Sequence, residues 1–240
     1  MARPSILANT TSYAETSGAS SATDAYANVL APATANTVIM LAGVGLTISQ
    51  TPTISSISWN SLTPKYDFFL FPANQSNPSN LTQVRCFVFD VSSLGAIDQT
   101  ATVTYSGATT ADGRLSVLTT DGYIANITGW WTESATTVYN ESIPVDSNNS
   151  TLVSMSIWGG QKTATFAEES GTTEHVKSTG DNPTALTLSS TTVSSNVMQI
   201  DGEWSANSNA QGICAVLHPR PNPFEGNPNK NIISHDIISN

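Results

Sequence analysis

Thr82–Ser106, TQVRCFVFDVSSLGAIDQTATVTYS, is the stretch that decides the fold class. Two apolar sets alternate from Val84 to Val91. Val84, Cys86 and Val88 point one way, and Phe87, Phe89 and Val91 point the other. A strand that is apolar on both faces must be covered on both. It is either a central strand, or a strand with one face in the core and the other at a subunit contact. Gly95 marks a turn. Thr100, Thr102 and Thr104 then alternate with Ala101, Val103 and Tyr105, the pattern of a half-buried strand. The two runs read as an antiparallel hairpin made of core residues.

The pattern continues on both sides. Ser5 to Thr10 reads as a strand, followed by the Ser/Gly-rich stretch 15–23. Thr37–Ser49, TVIMLAGVGLTIS, is the most apolar segment, and Gly43 and Gly45 imply a bulge or a close backbone approach. Ile54, Ile57 and Trp59 form a strand that ends at Asn60-Ser61. Asp67–Phe71 is a short apolar run closed by Pro72. Arg114–Thr120 alternates, Tyr123–Trp131 is aromatic and open to either reading, and Ser142–Val145 reads as an edge strand carrying Pro144. Thr151–Trp158, Lys162–Glu169, Ala185–Leu188, Val193–Trp204 and Gly212–Leu217 complete the strands, with a polar loop over Ser170–Pro183. Short strands at this spacing predict an all-β protein, an antiparallel β-sandwich of jelly-roll type with extended terminal segments. The expected organisation is an N-terminal strand and flexible arm over 1–23, a β-sandwich domain over 24–218, and a Pro-rich extended tail over 219–240.

The chain has 240 residues, a size that fits one sandwich or barrel. Charged residues are only 11% and Ser plus Thr about a quarter, so hydroxyls and amides carry solubility. A net charge of −10 with 8 Lys and Arg argues against a nucleic-acid partner. The longest apolar run, Val38–Leu46, is too short to span a bilayer, so no membrane partner is expected. The N-terminus lacks the pattern of a secretory signal peptide. Cys86 and Cys214 both lie in apolar runs and could pair if their strands were neighbours. Buried free thiols are the favoured reading.

No catalytic or metal constellation emerges. His175 falls in a polar loop, His218 at a strand end and His235 in the tail, none beside a nucleophile motif. Glu168 and Glu169 are adjacent and face opposite ways on a strand, while Asp201 and Glu203 flank Gly202. Asp146–Ser150 begins like a calcium loop but has Thr151 and Ile157 where Gly and Glu are needed. The expectation is no enzyme, no cofactor and no metal. Seven Asn-x-Ser/Thr triplets, at Asn9, Asn74, Asn80, Asn126, Asn140, Asn148 and Asn149, follow from a chain rich in Asn, Ser and Thr.

Two features point to contacts. Trp130 and Trp131 are adjacent, so on a strand they face opposite sides, where a ring can meet a subunit or stack on a sugar. In 219–240 the prolines Pro219, Pro221, Pro223 and Pro228 exclude helix. Pro221, Phe224, Ile232, Ile233, Ile237 and Ile238 there form a candidate latch, laid against the chain's own domain or a neighbour.

Four segments taken together, Ile54–Leu62, Val84–Gly107, Arg114–Tyr123 and Val197–Pro219, resemble a broad group of jelly-roll β-sandwich domains found in phage structural proteins and some bacterial surface proteins. The resemblance covers roughly residues 36–219, and the fourth segment enters it as a strand, a Ser/Asn turn and a closing strand. Asn60-Ser61 stands where that group carries two glycines. The resemblance implies a non-enzymatic virion protein, a capsid decoration (cement) or fibre subunit of a phage. Its partners would be the major capsid or another virion protein and copies of itself, with a trimer favoured. The alternative it implies is a carbohydrate-binding module for surface or host-receptor adhesion, with a glycan at Trp130 or Trp131.

Overall fold

The strand Val84–Val91 belongs to a sheet that lies between two others. The structure, a computed structural model, describes residues 2–14, 21–45, 52–70, 82–109, 113–144, 149–159, 166–168, 171–178, 184–191, 193–194, 197–219 and 232–236. Among these residues there are sixteen strands and no helix. In chain order they are β1 (Thr11–Ala14), β2 (Ser21–Ala31), β3 (Thr37–Gly45), β4 (Ile54–Trp59), β5 (Tyr66–Phe69), β6 (Thr82–Asp90), β7 (Ile97–Thr109) and β8 (Gly113–Thr120). Then come β9 (Tyr123–Pro144), β10 (Thr151–Gly159), β11 (Phe166–Glu168), β12 (Thr172–Lys177), β13 (Thr184–Ser190), β14 (Val193–Ser194), β15 (Val197–His218) and β16 (Ile232–Asp236). A five-stranded sheet has the order β1-β8-β3-β6-β5, and a three-stranded sheet the order β2-β7-β4. An eight-stranded sheet runs β12-β13-β10-β15-β9-β16, with β11 and β14 also paired to β15. Every pairing is antiparallel except that of β16 with β9.

The five-stranded sheet is the middle layer, and its two apolar faces explain why. Val38, Met40, Ala42 and Val44 of β3 and Phe87 and Phe89 of β6 pack with Tyr26, Ile54, Trp59 and Val103 of the three-stranded sheet. The alternate residues Ile39, Leu41, Val84, Cys86 and Val88 pack with Val153, Met155, Ile157, Ile213 and Leu217 of the eight-stranded sheet. Both faces of β6 are thus covered from within the chain. Each such side chain, fully buried, contributes about 1.5–3 kcal/mol relative to exposure. The rings of Trp59 and Phe89 meet edge to face at 5.4 Å, an arrangement their quadrupoles favour.

Gly43 is the close approach implied by its place in the strand. The ladder through it is regular, with Val84 on one side and Arg114 on the other. A β-carbon there would stand 2.7 Å from Ile157 Cδ1 and 2.8 Å from its Cγ2. The missing side chain lets the middle sheet settle against β10. Where the chain leaves β4, Asn60 and Ser61 both take positive φ, 49° and 56°, and Leu62 N–H donates to the Trp59 carbonyl at 2.9 Å. This is the backbone that a type I′ turn requires and that glycine or Asn adopts most readily.

Four sequence expectations change. First, Val84–Val91 and Thr100–Tyr105 are not a hairpin. β6 pairs with β3 and β5, whereas β7 pairs with β2 and β4, so the chain crosses from one sheet to the next between them. Asp90 Oδ1 accepts from the backbone N–H and the hydroxyl of Ser92, and Val91 N–H donates to the Asn36 carbonyl, which turns the chain out of the middle sheet. Second, the polar loop 170–183 contains β12, whose sole buried apolar residue is Val176. Third, the stretch between Trp204 and Gly212 is strand, and β15 runs through it with register shifts between Glu203 and Ser208 and between Ser208 and Ala210. Fourth, the N-terminal strand is Thr11–Ala14 and not Ser5–Thr10, where Ile6 makes only an isolated bridge to Thr120, and β2 begins inside the Ser/Gly-rich stretch.

Polar side chains on both faces of β8 are buried too. Ser116 and Thr119 are fully enclosed, and the Ser116 and Thr187 hydroxyls lie 3.3 Å apart across the gap to β13. Residues 2–14 run alongside this strand, from Asp121 and Thr120 back to Arg114. Leu7 N–H donates to the Thr119 carbonyl, Thr120 Oγ1 donates to the Ser5 carbonyl, and Asp121 accepts from Ser5 N–H at 2.6 Å. Thr151 Oγ1 donates to the Pro4 carbonyl at 2.8 Å. The segment therefore joins the middle sheet to the eight-stranded one, and these bonds satisfy hydroxyls that burial would otherwise penalise.

Candidate functional site

β9 is the strand on which the two contact features of the sequence meet. On one side it is paired with β15 from Tyr123 opposite His218 to Pro144 opposite Val197. On the other side β16 runs parallel to it over five positions. Ile232 lies beside Ile127, Ile233 beside Thr128, Ser234 beside Gly129, His235 beside Trp130, and Asp236 beside Trp131. The tryptophan pair and the C-terminal isoleucines, about a hundred residues apart in sequence, are thus backbone neighbours. The side chains of Trp130, Trp131, Ile232 and Ile233 lie outside the described residues, as do Pro221, Phe224, Ile237 and Ile238 altogether.

Local sequence fixes where β9 sits. Ile124 and Ile127 enter the core shared with the middle sheet. A β-carbon on Gly129 would meet Leu70 Cδ2 at 2.9 Å, so the absence of one brings this strand against the chain leaving β5. Thr128 is 8% exposed and sits opposite Cys214. β16 is the outermost strand of its sheet, and beyond Trp131 no described strand flanks β9 on that side.

The groups considered for chemistry stand apart. His175 Nε2 lies 2.7 Å from Ser189 Oγ on neighbouring strands. His218 and His235 are backbone neighbours of Tyr123 and Trp130, at two separate levels of β9. Glu168 pairs with Gly202, between Asp201 and Glu203. Asn149 and Ser150 are the only described residues of 146–150. Among the described residues no group of three His, Cys, Asp or Glu could hold a metal ion. The notch beside Lys65, Tyr66 and Tyr123 has room for about one water molecule. Asn9 is engaged on both sides of its amide, by the Leu30 carbonyl and by Thr119 Oγ1.

Two polar clusters escaped the sequence reading. In the first, the Tyr105 and Tyr26 hydroxyls both reach Oδ2 of Asp24, which is 6% exposed, beside Gly113. Burial first, then the neighbouring Tyr26 and Asp24, raises the Tyr105 phenol far above its ordinary value. The one signal was an acid within the alternating run Asp24, Tyr26. In the second, Arg85 grips Asp67 with two nitrogens, at 2.5 and 2.8 Å, and donates to the carbonyls of Ile54 and Ser55. Its guanidinium lies 4.4 Å from the ring centre of Phe69, which is 46% exposed. The second cluster fastens the middle sheet to the three-stranded one, whereas the first ties β2 to β7 within the three-stranded sheet, against Gly113 of the middle sheet. Cys86 and Cys214 are both buried, and no disulfide joins them. Cys86 points into the core between the middle and eight-stranded sheets. Cys214 alternates with Ile213 and Ala215, which face that core, and so lies on the other side of β15. Burial, with Asp67 adding to it, pushes the Cys86 thiol well above its usual value.

Comparison with protein-family models, with curated proteins and with solved structures finds no match to this chain.

Proposed function

We propose that this chain is a non-enzymatic structural subunit of a virion, a capsid decoration (cement) or fibre protein of a phage with jelly-roll sandwich architecture. Its work is mechanical. The stacked sheets form a rigid body, and the C-terminal strand is the latch that joins it to the shell and to neighbouring copies, with a trimer favoured. The observation that carries the proposal is the placement of β16 on β9. A terminal segment behind four prolines supplies the last strand of a sheet by main-chain pairing. Strand addition of this kind gives affinity through backbone hydrogen bonds, which need no pocket. The acidic, weakly charged composition and the resemblance to phage jelly-roll domains agree with it.

The test is binding to phage shells stripped of their outer proteins. The full chain is expected to load them to saturation, and a chain ending at residue 218 to lose that occupancy. If the shortened chain, folded as judged by circular dichroism, loads equally well, the latch is wrong. If the full chain ignores shells but is retained on polysaccharide through Trp130 or Trp131, the virion role gives way to glycan binding.

A further inference from the structure

We propose that in the assembled state the strand on the β9 edge comes from a second copy of this chain, so that β16 is exchanged between subunits. The inference rests on the latch reading above and names its partner. Three observations lead to it.

The first is reach. β15 ends at His218, beside Tyr123, and β16 starts at Ile232, beside Ile127. Two strand spacings and four residues of rise separate these points, about 16 Å. The thirteen residues 219–231 that join them can extend to about 40 Å. Closing the strand within one chain uses less than half of that length, and the prolines favour an extended path.

The second is the acceptor. β16 covers only Ile127–Trp131, and β9 continues to Pro144 with no second described neighbour. The pairing is backbone to backbone, so the same edge on another copy presents the same groups. An element that can close on its own chain can close on an identical one, the low-cost route to symmetric assembly.

The third is charge. Residues 219–240 hold Arg220, Lys230, Glu225 and Asp236, which cancel. The chain's net charge of −10 therefore lies wholly in residues 1–218. A neutral arm approaches an acidic second copy without the repulsion that opposes contact between the two bodies.

The experiment uses full-length chains with single cysteines, Trp131→Cys in one and Asp236→Cys in the other, differing in mass by a tag. Neighbouring strands place such a pair within disulfide reach. Trp131 has Gln211 as its other neighbour, whereas Thr128 would put the new thiol beside Cys214. Exchange predicts that the oxidised mixture gives a disulfide-linked species with the mass of one chain of each kind. If the mixture gives none while a Trp131→Cys/Asp236→Cys double variant closes to a cross-linked monomer, exchange is overturned and the latch within one chain stands. If neither cross-links, the β9–β16 pairing is wrong, and the latch reading falls with the exchange. The pair Trp130→Cys and His235→Cys repeats the test if either first variant fails to fold.

Discussion

The Tyr105 hydroxyl donates to Asp24 Oδ2 at 2.5 Å, and the Tyr26 hydroxyl reaches the same oxygen at 3.4 Å. The carboxylate sits on β2 and the two phenols on β7 and β2, all turned toward the middle sheet at Gly113. A buried acceptor removed from such a cluster leaves its donors unsatisfied, and that asymmetry sets the size of the effect. Asp24→Ala is expected to cost about 2–4 kcal/mol, and Tyr105→Phe about 1–3 kcal/mol, by urea unfolding. A loss below about 0.5 kcal/mol for Asp24→Ala would mean that the cluster does not hold β2 to β7.

The same phenol makes stability fall in alkali. Its pKa is raised in the folded chain, whereas the unfolded chain titrates near 10.0. Above that pH the unfolded state releases a proton that the folded state keeps, so the unfolded state binds fewer protons and stability drops as pH rises. The slope from this group is about 1.4 kcal/mol per pH unit. It begins at the unfolded value and persists until the folded phenol ionises. Unfolding free energies from pH 9 to 11.5 should bend downward near pH 10, and Tyr105→Phe should remove that share of the slope. Tyr13, also raised by burial and by Asp98, leaves a residual trend of the same sign.

Gly43 and Ile157 test the stacking of the middle sheet on β10. Gly43→Ala places a methyl group 2.7 Å from Ile157 Cδ1, and overpacking of this kind costs about 1–3 kcal/mol. Ile157→Ala alone removes a fully buried side chain at about 2–5 kcal/mol. Together the two changes should cost less than their sum by about 1 kcal/mol, because each relieves the other. Strict additivity in a double-mutant cycle would place the two residues out of contact.

What the sequence could reveal follows from which forces act locally. The double apolar alternation of Val84–Val91 required cover on both faces, and the middle layer supplies the reason. The glycine in TVIMLAGVG announced a close approach in the same way. Sheet assignment was not legible. A turn at Gly95 is compatible with a return beside β6 or a crossing to the next sheet, and the choice depends on partners such as Asn36, far along the chain. β12 was missed because one buried valine makes no pattern, and its ladder with β13 supplies the rest. The meeting of β16 with Trp130 and Trp131 is a non-local register that no window of sequence contains.

Arg85 is predicted not to tolerate lysine. Its guanidinium serves Asp67 on β5 and two carbonyls of β4 at once, joining the middle and three-stranded sheets. An ammonium group cannot span that fork or lie flat over Phe69 and Phe87. Arg85→Lys should cost about 1–2 kcal/mol, with Arg85→Ala at about 2–3 kcal/mol. Asp67→Asn should lose less, since the carbonyls of Ile54 and Ser55 still hold the guanidinium. An unchanged midpoint for Arg85→Lys would show that the contact with β4 is dispensable.

The two thiols offer a clock for opening of the layers. Cys86 is enclosed between the middle and eight-stranded sheets, and Cys214 is buried on β15. The reacting species is the thiolate, and burial holds Cys86 in its protonated form far above neutral pH. Ellman's reagent at pH 8 should therefore find almost no thiol in the native chain and two per chain in urea. Slow native labelling should rise with denaturant in step with separation of the sheets, because Cys86 is reached only when they part. Prompt labelling of Cys86 in buffer would mean that the two layers are not packed together in solution. Prompt labelling of Cys214 alone would place the disturbance on the other face of β15.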